Sequence, residues 1–221
     1  MSPVAMNVPL RKFLNLVGWL VVSLAALVLA FSAWIILPFR PGLAEVLTTA
    51  ETLLRAPFAA TTVIGDSRIE LADEPQGALF AGYPSATSRD LERLSGVVCA
   101  ISSARVTIAL GINDTKPDEL DLAATRGAFD RIADQCARPD LRFAEVWPAE
   151  PDVEPAGANY DIEAVAEITA HLRELAAQGR VQLIAAPDLP SGFTHDGVHF
   201  VPGVSRDYAR MLAFGSATLA D

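Results

Sequence analysis

Short apolar runs alternate with longer amphipathic segments along most of this chain. The clearest run is Thr61–Ile64, in which four β-branched residues stand in a row, as is typical of a buried strand. Similar runs recur later in the chain, and we predict strands at 77–81, 105–110, 141–147 and 180–185. Strands that alternate with helices form parallel sheets joined by right-handed crossovers. The sequence therefore predicts an α/β fold, a three-layer α/β/α sandwich with a parallel five-stranded sheet.

The segments around these strands have the apolar spacing of helices. The predicted helices cover about 42–55, 89–101, 117–137, 161–177 and 204–219. Pro117 is expected to open the third of them, because a proline in the first helical turn gives up an N–H that would have no partner there. These helices supply the outer layers of the predicted sandwich.

The N-terminal part carries an uncharged stretch of 27 residues, Phe13–Phe39. About 20 apolar residues span a bilayer, and Arg11 and Lys12 before the stretch favour an inside N-terminus. We therefore expect a transmembrane signal anchor at 13–39. The alternative is a cleaved signal peptide with Ala30–Ser32 as its small-x-small site, but the apolar run exceeds the usual length of about 7–15 residues.

This anchor divides the chain into four parts. Residues 1–12 are predicted to be a cytoplasmic N-terminus, 13–39 the anchor, 40–60 a juxtamembrane helix or linker, and 61–221 the folded domain. The expected location is a single-pass membrane protein whose domain lies outside the cytoplasm, in the periplasm if the source is bacterial.

The charge balance excludes some partners. The chain has 17 Lys and Arg against 27 Asp and Glu, a formal net charge of −10. Nucleic acids and anionic lipids are bound through cationic groups, so we expect no nucleic-acid partner. The two cysteines, Cys99 and Cys136, have no metal-site spacing. They are either a disulfide, which an extracytoplasmic domain permits, or two buried thiols, and the sequence leaves both open.

Candidate catalytic residues lie after the first and last predicted strands. Ser67 follows the first strand in Gly65-Asp66-Ser67, at the edge where open α/β sheets place their chemistry, and is a candidate nucleophile. The same tripeptide could also be a simple helix-capping turn.

A carboxylate and a histidine lie close together near the C-terminus. Asp196 and His199 are three residues apart, so the carboxylate can reach Nδ1–H of His199 and leave Nε2 free for a nucleophile. The alternatives are an ordinary loop histidine and His195 as the base. A metal held by His195 and His199 would need a helix, which Gly197 disfavours, so no metal is predicted.

Together these residues resemble the SGNH (GDSL-like) hydrolase family, a group of serine esterases. Gly65-Asp66-Ser67 is similar to its first motif block and Gly82 to the glycine of its second. Gly111-Ile112-Asn113-Asp114 resembles the Gly-x-Asn-Asp block, and Asp196-Gly197-Val198-His199 the final Asp-x-x-His block. The resemblance covers about Thr61–Phe200.

The resemblance implies a flavodoxin-like fold for residues 61–221 and a role for each motif residue. Ser67 would be the nucleophile, His199 the base and Asp196 the group that orients it. The oxyanion hole would comprise the Ser67 N–H, the Gly82 N–H and the Asn113 side chain. No cofactor is implied. Arg68 departs from the pattern, since leucine is usual there, and it is expected to affect packing or substrate contact.

The sequence thus predicts a membrane-anchored, extracytoplasmic serine ester hydrolase. Its expected substrate is an O-acetyl or other short acyl ester on a glycan, such as an acetylated polysaccharide. The alternatives are an acyltransferase that uses the same chemistry and an inactive glycan-binding or assembly subunit. The loop Pro148–Ala158 and the segment Tyr83–Ser85 are expected to shape the pocket.

Overall fold

The computed structural model describes residues 8–37 and 41–215. Five strands are present: β1 (Thr61–Gly65), β2 (Ala78–Gly82), β3 (Arg105–Ala109), β4 (Leu141–Ala144) and β5 (Gln182–Ile184). The helices are α1 (Val8–Ile36), α2 (Leu43–Arg55), α3 (Ser67–Glu70), α4 (Ser88–Ile101), α5 (Leu122–Cys136), α6 (Ile162–Ala177) and α7 (Pro202–Phe214). Strands and helices therefore alternate as the sequence indicated.

The five strands form one parallel sheet in the order β2-β1-β3-β4-β5. Its central strand pairs run in register, so that Gly65 at the end of β1 lies opposite Gly82 and Ala109. This arrangement confirms the predicted parallel five-stranded sheet, and it brings the loops after β1, β2 and β3 to one edge.

Alternate residues of β1 face opposite sides of the sheet, as the pleat requires. Val63 packs in a cluster with Tyr208 and Leu212 of α7, whereas Ile64 packs in a cluster with Leu91 of α4 and Phe129 of α5. All six side chains are buried. Helices thus cover both faces of the sheet, which confirms the α/β/α layering.

A search of the described residues finds no helix with the length and apolar character needed to cross a membrane. The predicted anchor at 13–39 is therefore not supported. Residues 38–39 of that segment, and residues 1–7 of the predicted cytoplasmic N-terminus, lie outside the described part of the chain.

The predicted juxtamembrane linker, residues 40–60, contains a helix that packs on the domain. Two buried threonines of α2, Thr49 and Thr52, face inward, and Thr49 Oγ1 lies 3.0 Å from the hydroxyl of buried Tyr83. Burial raises the pKa of Tyr83 to about 12, although the hydroxyls of Thr49 and Thr52 oppose the shift. This phenol is therefore a neutral structural contact between α2 and the loop after β2.

The predicted start of the third helix was wrong. Helix α5 begins at Leu122 and not at Pro117, because the Asp121 carboxylate caps it by accepting the Ala124 N–H at 2.9 Å. Residues Asn113–Thr115 form a separate 3₁₀ turn. The last helix ends at Phe214, and residues 216–219 of its predicted span lie outside the described part.

Cys99 of α4 and Cys136 of α5 form a disulfide with an S–S distance of 2.05 Å. This settles the alternative that the sequence left open in favour of the bond. The two cysteines are 37 residues apart in sequence, and the disulfide joins two neighbouring helices. It lies on the helical layer, in the core cluster that contains Ile64.

Candidate active site

Ser67 lies in the sharp turn between β1 and α3. The Asp66 carboxylate caps α3 by accepting the Arg68 N–H at 2.8 Å, so the first helical residue is Ser67 itself. Asp66 is buried, and burial raises the pKa of its carboxyl while the nearby Arg68 guanidinium opposes the shift. The turn therefore holds the Ser67 hydroxyl at the carboxyl edge of the sheet.

The structure brings Ser67, His199 and Asp196 together. Nε2 of His199 lies 2.9 Å from Ser67 Oγ, and Nδ1 lies 2.6 Å from Asp196 Oδ2. The imidazole thus bridges a hydroxyl and a carboxylate that are far apart in sequence. This is the arrangement in which a histidine can accept a proton from a serine while a carboxylate stabilises the resulting imidazolium.

Asp196 stays ionised in this arrangement. Burial by itself would raise the pKa of Asp196, but hydrogen bonds from the His199 ring and from two backbone N–H groups outweigh it and hold the pKa at about 2. Those N–H groups, of Val198 and His199, lie 3.0 and 2.7 Å from Asp196 Oδ1. The carboxylate is therefore both charged and fixed.

The loop that carries Asp196 and His199 needs a glycine. Gly197 has a φ of +95°, and a Cβ there would lie 2.3 Å from the Gly157 nitrogen. Backbone bonds from Ala156 N–H to Asp196 O at 2.9 Å, and from Glu150 N–H to Gly197 O at 2.8 Å, hold this turn against the loop Pro148–Ala158. That loop therefore supports the base.

Arg68 joins the nucleophile turn to the base loop. Its guanidinium donates to three backbone carbonyls: Val198 O at 2.9 Å, Trp147 O at 2.6 Å and Pro148 O at 2.8 Å. The side chain is 3 % exposed and lies 4.5 Å from the centre of the Phe200 ring. Because Arg68 follows Ser67 and Val198 precedes His199, this one side chain links the chain neighbours of Ser67 and His199.

Asn113 lies in the 3₁₀ turn after β3, the strand next to β1 in the sheet. Its Nδ2 donates to Ala86 O at 3.1 Å, which leaves a second N–H on the same nitrogen for a ligand. Buried Asp114 fixes this turn by accepting from Ser88 N at 2.9 Å, Ser88 Oγ at 2.7 Å and Thr125 Oγ1 at 3.1 Å. Burial raises the pKa of Asp114, and the Ser88 bonds oppose the shift.

Gly82 is buried at the end of β2, and a Cβ there would lie 2.1 Å from the Glu70 nitrogen. Only glycine fits this close approach of α3. The loop after β2 includes Ser85, which is exposed. Its φ of +58° is unusual for a residue with a side chain. Since Ala86 accepts the Asn113 amide, the turn at residues 82–86 adjoins Asn113.

A cavity of about 410 Å³ opens beside His199. It is lined by residues from α3 and the segment after it, from the base loop and from the start of α7: Arg68, Leu71, Asp73, His195, His199, Phe200, Pro202, Ser205 and Arg206. The expectation that Pro148–Ala158 and Tyr83–Ser85 shape the pocket was wrong for this cavity, because neither segment lines it.

His195, Asp196 and His199 each place one potential metal ligand within 4.8 Å of the others. Asp196 and His199 are already bonded to each other, and His199 to Ser67, so a metal would have to replace triad hydrogen bonds. The donor set therefore fits the triad better than a metal. His195 is exposed and its ring centre lies 6.0 Å from that of His199.

No family model matches the chain, and no curated protein is similar to it in sequence. Solved structures are similar in fold. A GDSL-like lipase from Bacteroides thetaiotaomicron VPI-5482 has 18% identity and a TM-score of 0.56, covering 76% of this chain and 94% of its own. A lipase/acylhydrolase from Enterococcus faecalis has 19% identity and a TM-score of 0.54, with coverages of 66% and 89%. The chain has the fold of these GDSL hydrolases.

Another similar structure, from Streptococcus pneumonia and named for platelet activating factor, has 15% identity and a TM-score of 0.62. It covers 85% of this chain and 97% of its own. The likeness thus extends over nearly the whole length of a known structure while few residues are identical.

The prediction that Arg68 affects packing is confirmed, since its side chain is buried against Phe200. Its bonds to three backbone carbonyls and the residues of the cavity were not predicted. Asp73, Ser205 and Arg206 lie outside every motif, and only the fold brings the segment after α3 and the start of α7 to His199.

Proposed function

We propose that this protein is a serine ester hydrolase that removes O-acetyl or other short acyl groups from a glycan outside the cytoplasm. The observation that carries the proposal is the hydrogen-bonded series from Asp196 through His199 to Ser67, with distances of 2.6 and 2.9 Å. Three apolar side chains would pack better at this position than these polar ones. The polar series is, however, what acyl transfer requires.

The reaction follows from the positions of these atoms. Ser67 Oγ attacks the ester carbonyl carbon as His199 Nε2 accepts its proton, and Asp196 stabilises the imidazolium. Collapse of the tetrahedral intermediate breaks the bond to the alcohol, which leaves with the proton from His199. Water then attacks the acyl-Ser67 ester by the same route, and the acid is released.

The negative oxygen of the intermediate needs donors on the side of Ser67 away from His199. We propose that the Ser67 N–H, the free N–H of Asn113 Nδ2 and a backbone N–H of the turn at 82–86 supply them. Gly82 is the donor that the motif implies, and exposed Ser85 lies in the same turn. One such donor is typically worth about 3 kcal/mol.

The disulfide supports the proposed location. Disulfides persist in oxidising compartments and are rare in the cytosol, so the Cys99–Cys136 bond favours a domain outside the cytoplasm. The acyl specificity and the glycan are inferences from that location and from the cavity chemistry. The solved structures of similar fold carry names of lipases and acylhydrolases, which is consistent with ester chemistry.

The test is hydrolysis by the purified full chain, compared with Ser67→Ala. We expect hydrolysis of 4-nitrophenyl acetate to exceed that of the octanoate ester, and release of acetate from an acetylated polysaccharide. Absence of hydrolysis of any ester by folded protein would contradict the proposal. Transfer of acetyl to an added sugar in place of release to water would identify an acyltransferase.

A further inference from the structure

We infer that the cavity beside His199 binds the alcohol portion of the ester, and that this alcohol is an uncharged polyhydroxyl compound such as a sugar. The inference rests on the proposed function and adds to it the binding site and the chemistry of the leaving group. It is carried by where the cavity lies relative to the triad and by the side chains that line it.

The position of the cavity assigns it to the alcohol. When the acyl-enzyme forms, His199 gives its proton to the departing alcohol oxygen, so that oxygen must be within reach of Nε2. In the proposed mechanism the oxyanion points towards Asn113 instead. The cavity is lined by His199 and by none of the proposed oxyanion donors, and we therefore assign it to the leaving-group side of Ser67.

The lining combines apolar and polar groups in a way that suits a sugar. Leu71, Phe200 and Pro202 offer a surface on which the C–H face of a sugar ring can pack. The polar groups supply both hydrogen-bonding roles, since a carboxylate accepts and a guanidinium donates. They are Asp73, His195, Ser205 and Arg206. A hydrocarbon alcohol would displace water from these groups without replacing its hydrogen bonds.

The lining has three charged side chains, and two of them can meet a ligand, because the Arg68 guanidinium is buried and already bonded to three backbone carbonyls. Asp73 and Arg206 are both exposed. Within the part of the chain that the structure describes, the ion pairs include neither of them. Asp73 and Arg206 carry opposite charges, so the exposed part of the lining favours neither an acidic nor a basic sugar, and we assign the site to a neutral one. The volume of about 410 Å³ is in the range of small-molecule sites, roughly 300–1,000 Å³.

The experiment compares two acetate esters that differ only in the alcohol. One is 4-nitrophenyl acetate, whose leaving group needs no protonation and has no hydroxyls, and the other is mono-acetylated methyl glucoside. The kcat/KM of each is measured for full-length wild type, Arg206→Gln and Asp73→Asn. Arg210→Gln is the matched control, because Arg210 is an exposed arginine of the same helix that does not line the cavity.

We expect Arg206→Gln and Asp73→Asn to lower kcat/KM for the glucoside ester about tenfold or more relative to 4-nitrophenyl acetate, as loss of a hydrogen bond to a charged group does. Arg210→Gln should leave both values unchanged. Equal effects on the two esters, or none, would overturn the inference. So would a tenfold preference of wild type for an acetylated glucuronide. If wild type hydrolyses neither ester, the proposed function itself fails.

Discussion

The two sides of Ser67 are constructed differently. On the base side, charged side chains hold backbone groups in place: Asp196 binds the N–H groups of its own loop, and Arg68 binds one carbonyl within that loop and two in the segment after β4. On the proposed oxyanion side, the candidate donor is the uncharged Asn113 amide, and the neighbouring Asp114 carboxyl is buried and bonded to Ser88.

The difference matches what each side must do. The imidazole changes its charge during the reaction, so it needs a nearby carboxylate that compensates the change. The oxyanion donors keep their charge and only need to be in position beforehand, which buried hydrogen bonds achieve at no further cost when the oxyanion forms. Substitutions on the two sides should therefore differ in how far they lower the rate and in which kinetic constant they change.

Removing the base should have the largest effect. His199→Ala leaves Ser67 with no proton acceptor, and we expect kcat to fall by about 10⁴–10⁶-fold. His195→Ala serves as the control from the same loop, since its ring lies near but outside the triad, and its loss should be less than about tenfold. A larger fall in kcat for His195→Ala than for His199→Ala would show that His199 is not the base.

Removing the amide donor should lower kcat by a smaller factor than removing the base. Asn113→Ala is expected to lower kcat by about 10²–10³-fold with little change in KM, because the lost bond forms only as the oxyanion develops. Steady-state kinetics on 4-nitrophenyl acetate measure both constants. Asn159→Ala, which alters an exposed asparagine bonded to Pro155 O, is the control. A rise in KM with unchanged kcat would place Asn113 in ground-state binding instead.

Arg68 should have an intermediate effect that added guanidinium partly restores. Arg68→Ala removes the donors to three carbonyls beside the triad, and we expect kcat/KM to fall about 10–100-fold, as small displacements of catalytic groups do. Guanidinium at millimolar concentration can refill the site and raise the rate. The readout is kcat/KM with and without guanidinium, with sodium as the salt control.

Arg138→Ala is the matched comparison for that variant. Arg138 likewise donates to three backbone carbonyls, those of Cys99, Ser102 and Ala104, but it lies away from Ser67. It should lower the free energy of unfolding and leave kcat/KM of the folded protein unchanged. Equal loss of activity in the two variants would show that Arg68 acts through stability alone.

The smallest expected effect concerns stability at acid pH. The pKa of Asp196 is about 2 in the folded protein against an ordinary value of 3.8. A depressed pKa stabilises the fold above the unfolded value, and this contribution is lost as the pH falls through 3.8 towards 2. Wild type should therefore converge with Asp196→Asn in free energy of unfolding over that interval. Urea titrations at several pH values measure it, and a constant difference would contradict the assignment.

The sheet and the Asp196–His199 pair were predictable because their signals are local, whereas the pairing of Ser67 with His199, 132 residues away, was predicted from the resemblance. The β-branched run Thr61–Ile64 and the three-residue spacing of Asp196 and His199 each lie within one short segment. The contacts of Arg68 were not predictable, since its partners lie 79, 80 and 130 residues away and are backbone carbonyls of any residue type. The predicted start of α5 was wrong because it rested on Pro117, whereas the Asp121 carboxylate caps the helix.

The most direct test of the account is whether Ser67 is an activated nucleophile. The full chain would be treated with a fluorophosphonate and the labelled peptide identified by mass spectrometry, beside Ser67→Ala and His199→Ala. The account predicts label on Ser67 in wild type, none at that position in Ser67→Ala, and much slower labelling in His199→Ala. Folded wild-type protein that takes up no label, or takes it up on another serine, would contradict it.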